Sequence, residues 1–106
     1  MVDTDTAVAI FEQYLLDLPD DLDSISKGLE SGDAEQLRQV LHKKKVVFSY
    51  VGLTDVTADL GELENKCSAK TDPSVFKPEV EKIFNRINSS TVAVRAVLGK
   101  LQEEQS

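Results

Sequence analysis

The chain has one histidine, His42, and one cysteine, Cys67. That pair cannot supply the ligand cluster of a structural zinc site, and a single thiol cannot close an internal disulfide. No P-loop, no Ser-His-Asp set and no second histidine is visible, which leaves phosphoryl acceptance as the chemistry open to a lone imidazole. Free imidazole titrates at about 6.5, so near neutral pH one ring nitrogen offers a lone pair without special activation. Phosphoryl transfer goes through a loose transition state that needs positioning and charge neutralisation more than covalent machinery. Lys45, one helical turn past His42 and on its side of a helix, is a candidate cation for phosphoryl oxygens.

The charge around this histidine is unusual for the chain. Overall the formal net charge is −7, which argues against a general nucleic-acid binder, because backbone affinity needs an excess of clustered Lys and Arg. Residues 1–36 carry Asp3, Asp5, Glu12, Asp17, Asp20, Asp21, Asp23, Glu30, Asp33 and Glu35 against Lys27 alone. The sign then reverses: Arg38, Lys43, Lys44 and Lys45 surround His42, with no acid among residues 36–54. A solvated helix face explains such an island as readily as a binding surface does.

The elements that must position these residues are all helical. At 106 residues and 41% hydrophobic content, the chain 1–106 fits one domain with one core and has no room for a second, catalytic one. Every long segment shows helical rather than alternating periodicity. The first helix is expected over roughly 4–17, capped by Thr4 or Asp5, with Val8, Phe11 and Leu15 in register. Pro19, followed by Asp20 and Asp21, is expected to open a second that buries Leu22, Ile25 and Leu29 and stops near Gly32. Asp33 can cap a third, with Leu37, Val40, Leu41, Val47, Phe48 and Val51 on one stripe up to about Gly52. Thr54 can cap a fourth carrying Val56, Leu60, Leu63 and Cys67, which makes Cys67 a small core residue rather than a reactive thiol. After Asp72-Pro73, a long fifth helix from near Pro78 carries Val80, Ile83, Ile87, Val94, Leu98 and Leu101. The fold class expected is all-α, an up-down four-helix bundle with a short additional N-terminal helix over one end.

On a helical wheel the apolar stripe of the third helix centres near Lys44, and His42 lies about 160° away, facing water. Glu35, Arg38, Gln39, Lys45, Val46 and Ser49 lie around it on the same exposed face. An apolar Val46 on the solvent side beside an exposed histidine suggests a docking surface.

Residues 42–64, HKKKVVFSYVGLTDVTADLGELE, resemble the signature of the histidine-containing phosphotransfer (HPt) family: a histidine, a lysine three later, a glycine-apolar pair, then apolar positions leading to L-x-x-L-E. His42, Lys45, Gly52, Leu53, Val56, Leu60, Leu63 and Glu64 fit without a gap, and the Gly32-Asp33 turn stands at a matching place upstream. The resemblance implies that His42 is the phosphoacceptor, Lys45 the phosphate-side cation, and Glu64 a partner for the inner ring nitrogen that leaves the outer one free. It further implies a phosphorelay carrier without its own catalytic centre, exchanging phosphate with response-regulator receiver domains and a hybrid sensor kinase. The Mg²⁺ then belongs to the receiver, and this chain needs no cofactor or metal. Arg38, Gln39, Lys43, Val46 and Ser49 are the expected docking residues.

Two positions depart from the family pattern. Val46 stands where a small residue usually lets the receiver approach, and Lys44 stands at a position normally apolar and core-facing. They motivate an alternative, an HPt-like adaptor that binds a receiver or kinase without passing phosphate; a structural bundle joining larger proteins is a third reading. An enzyme in its own right is least supported, since no acid/base pair or cofactor motif is visible. There is no run of about 18 apolar residues and no basic stretch leading into an apolar one, so a cytoplasmic monomer without membrane or nucleic-acid contact is expected.

Overall fold

A computed structural model describes residues 3–68 and 70–105. It is an all-α bundle of four helices, α1 Thr4–Glu30, α2 Ala34–Tyr50, α3 Thr54–Lys66 and α4 Lys77–Gln105, with a short 3₁₀ turn Pro73–Phe76 before α4.

The N-terminal third differs from expectation. There is no separate short first helix, and Pro19 does not open a second: α1 runs unbroken through Pro19. A proline inside a helix removes one N–H bond and costs about 3 kcal/mol. Here its ring faces solvent, while the buried stripe Tyr14, Leu18, Asp21, Ile25, Gly28 continues across it without a change of register. Burial along that stripe outweighs the lost bond. The cap is Asp3 rather than Thr4 or Asp5, its carboxylate accepting from the Thr6 N–H at 2.7 Å.

The remaining boundaries follow local chemistry. Past α1, Gly32 takes φ +75°, and Asp33 then accepts from the backbone N–H groups of Glu35 and Gln36 to start α2. Helix α2 ends where Gly52 turns at φ +78° and the Leu53 N–H reaches back to the Phe48 carbonyl at 3.0 Å; glycine is favoured there because a Cβ is strained at positive φ. Leu53, not Thr54, holds the cap position of α3, and no side chain among the described residues caps it. Asp72 caps the 3₁₀ turn through the Ser74 N–H.

The core is filled by fully buried Ile25, Leu37, Leu41, Phe48, Leu60 and Ile87 from all four helices. Tyr14 and Phe48 meet edge to face at 5.9 Å, and the Tyr14 hydroxyl shares a 3.3 Å hydrogen bond with Thr91. Close approach of α1 and α2 depends on Gly28, where an added Cβ would stand 3.3 Å from the Leu37 Cα. Cys67 is buried. With Leu41 and Phe48 turned inward, the opposite side of α2 is left to solvent.

Candidate functional site

His42 sits mid-way along α2, and its side chain is 67% exposed. One nitrogen is nevertheless fixed: Nδ1 lies 3.1 and 3.3 Å from the two oxygens of Glu64 on α3. Glu64 is buried, on the face of α3 that also carries Leu60 and Leu63 inward. Lys45 reaches the same carboxylate from α2, its Nζ 3.0 Å from Oε1 and 3.2 Å from Oε2. Burial pushes the Glu64 carboxyl up, but the hydrogen bonds and charges of Lys45 and His42 outweigh it and hold the group below its ordinary value of 4.5. An ionised carboxylate can only accept, so the neutral imidazole must carry its proton on Nδ1 and leave the Nε2 lone pair bare. Among the described residues Nε2 has no hydrogen-bond partner.

The two departures on α2, Lys44 and Val46, have different fates. Lys44, at the centre of the apolar stripe, is half-buried and donates to Asp21 of α1 at 2.8 Å. Asp21 is 5% exposed and its second oxygen, Oδ2, has no partner among the described residues. The core-facing lysine is thus answered by a core-facing aspartate. Val46 is 42% exposed, on the same side of α2 as His42.

The expected docking residues are all on the accessible side. Gln39, Lys43 and Ser49 are exposed and Arg38 is half-buried. Arg38 is paired with Glu35, its Nε donating at 2.8 Å; Ser49 spends its hydroxyl on the Val46 carbonyl; Lys43 makes no hydrogen bond or ion pair among the described residues. Arg38, Gln39, His42 and Lys43 line an open depression of about 140 Å³. His42, Lys45 and Glu64 come together as one cluster, whereas Val46 and Ser49 lie further along α2.

Two residues of this region escape a reading by motif. Tyr50 is exposed two turns past His42 and continues the apolar strip begun by Val46. Asp21 reads as a first-turn acid behind Pro19, whereas the uninterrupted spacing Tyr14, Leu18, Asp21, Ile25 across that proline marks it as a core-facing position.

A family model, the Hpt domain, matches residues 9–104. The chain therefore belongs to the Hpt domain family, whose members are phosphocarrier modules of two-component signalling. Neither the curated proteins nor the solved structures gave a match. Among the described residues no helix is long and apolar enough to cross a membrane.

Proposed function

We propose that this chain is a phosphorelay carrier whose His42 takes a phosphoryl group from the aspartyl phosphate of a receiver domain and passes it to another. The observation that carries this reading is the pairing of an exposed imidazole with a buried carboxylate on its inner nitrogen, which aims a bare Nε2 at solvent. In the forward step the Nε2 lone pair forms the N–P bond while the P–O bond to the donor aspartate breaks, its electron pair leaving on the carboxylate. Nδ1 keeps its proton, and the positive charge that develops on the ring is met by Glu64. Return transfer reverses these movements, with the same carboxylate stabilising the protonated leaving imidazole. The receiver would bring Mg²⁺ and the acidic pocket, facing the basic side of α2. On this reading residues 1–106 act as one module in the cytoplasm, where receivers and hybrid kinases exchange phosphate.

Incubation with a phosphorylated receiver should place acid-labile, alkali-stable phosphate on the chain and none on His42→Gln. Phosphate persisting in that folded variant would overturn the assignment. The bulk of Val46 beside His42 favours a second reading, an adaptor that holds a receiver without transfer; binding without labelling of the wild type would select it.

A further inference from the structure

Lys45 is the cation that spacing alone assigns to the phosphoryl group, yet it is spoken for. Its ammonium bridges both oxygens of Glu64, and its side chain is only 28% exposed. If Lys45 left to follow a phosphoryl group, the buried Glu64 carboxylate would lose one of its two cationic partners and keep only the His42 ring, which is costly for a buried anion. The ring geometry points the same way. The two nitrogens of an imidazole diverge, so with Nδ1 turned to Glu64, Nε2 is turned away from the carboxylate that holds Lys45.

The ground beside His42 on α2 itself is prepared differently. The depression lined by Arg38, Gln39, His42 and Lys43 is open to solvent, and its volume of about 140 Å³ admits a phosphoryl group. Gln39 and Arg38 stand three and four residues before His42, the spacings that bring helix side chains together. Lys43 has no competing partner among the described residues. Arg38 gives Nε and Nη2 to Glu35, and its Nη1 has no hydrogen-bond partner among the described residues. The Gln39 amide makes only a long 3.5 Å contact with Glu35.

Resting on the phosphoacceptor reading above, we infer that the phosphoryl group on His42 Nε2 is held in this depression by Lys43, Gln39 and Arg38, and that Lys45 is a positioning residue acting through Glu64. Lys43 supplies the free positive charge, Gln39 an amide N–H and Arg38 its remaining N–H groups. Lys45 keeps Glu64 ionised, and Glu64 keeps the proton on Nδ1.

Phosphoramidate tests this without a docking partner. Nε2 forms its N–P bond as the P–N bond of the donor breaks, and the electron pair leaves with ammonia. The full chain and the variants Lys43→Ala, Gln39→Ala, Arg38→Ala, Lys45→Met and Lys45→Arg are compared after circular dichroism has shown each to be folded. Phosphorus-31 NMR gives the initial rate of phospho-His42 formation, and nitrogen-15 shifts of the unmodified ring give its tautomer. The expected result is a fall of roughly tenfold for Lys43→Ala, the scale of one charge-assisted contact, with the tautomer unchanged. Gln39→Ala and Arg38→Ala should fall several-fold, again with the tautomer kept. Lys45→Met should move the ring from the Nδ1–H form toward a mixture, and Lys45→Arg should restore it. Slower labelling of Lys45→Met with an unchanged tautomer would overturn the inference, as would wild-type rates in all three depression variants. Absence of any label on the wild type would instead overturn the phosphoacceptor reading on which it rests.

Discussion

Replacing Lys44 by methionine removes a charge from the inside of the bundle while keeping the length of its stem, and it should be among the most damaging single changes on α2. The reason lies across the interface. Asp21 is 5% exposed, and among the described residues one of its oxygens is without a partner and the other has only the Lys44 ammonium at 2.8 Å. Lys44→Met leaves that carboxylate buried with nothing to meet it, a situation that costs about 3–5 kcal/mol. For a domain of this size that lowers the melting temperature by on the order of 15 °C. The reverse deletion is milder. In Asp21→Leu the Lys44 side chain, 26% exposed, can carry its ammonium to water along a flexible stem, so a loss of about 1–2 kcal/mol is expected. The double variant Asp21→Leu/Lys44→Met exchanges an ion pair for apolar contacts and should return to within about 1 kcal/mol of wild type or exceed it. Urea denaturation of the four proteins, followed by ellipticity at one wavelength, measures the cycle. A loss below about 1 kcal/mol for Lys44→Met, or a double variant as unstable as the sum of the singles, would refute the buried pair as the reason for a lysine at this position.

Other changes read out the site and its surroundings. Val46→Ala should weaken receiver affinity by about 1 kcal/mol, roughly fivefold, because part of an exposed valine becomes buried in a complex; unchanged affinity and unchanged transfer by every productive receiver would put the docking face elsewhere. Because Glu64 titrates below 4.5 in the folded chain, its stabilising contribution is complete above that value and is lost as pH falls through the folded one. Glu64→Gln should therefore flatten the fall of the urea midpoint as pH drops below 4.5, and a wild-type slope in that variant would refute the linkage. Burial pushes the Cys67 thiol up, and its Sγ donates to the Leu63 carbonyl. A thiol-specific reagent should modify Cys67 slowly at pH 8 in the native chain and rapidly in denaturant, and fast native reaction would contradict its burial.

Much of this arrangement is legible in the sequence because it is local. Asp33 and the Gly52 turn bound α2, and once α2 exists the wheel alone turns His42 outward and Leu41 and Phe48 inward. The position of Glu64 follows from the L-x-x-L-E pattern, since Leu60 and Leu63 fix which face of α3 is buried. What the sequence conceals is set by partners far along the chain. Pro19 reads as a helix start because the penalty is local, whereas the compensating stripe from Tyr14 to Gly28 acts through packing against other helices. Lys44 reads as a defect until Asp21, 23 residues earlier, is seen opposite it. The spacing that puts Lys45 one turn from His42 is equally blind to the carboxylate that captures it.

The turn at Gly52 has a consequence for how this chemistry could be moved or inherited. His42, Lys45 and Glu64 all belong to the helical hairpin α2–α3, 22 residues separating the ring from its carboxylate, and neither α1 nor α4 contributes a polar atom to that trio. The reactive constellation is a property of one contiguous stretch of about 33 residues, 34–66, for which the other two helices serve as a supporting wall. Closing so short a loop costs little chain entropy, so the hairpin can register early in folding. A foreign helix pair that offers the same apolar wall, and an aspartate opposite Lys44, should accept it as a graft with the imidazole already aimed.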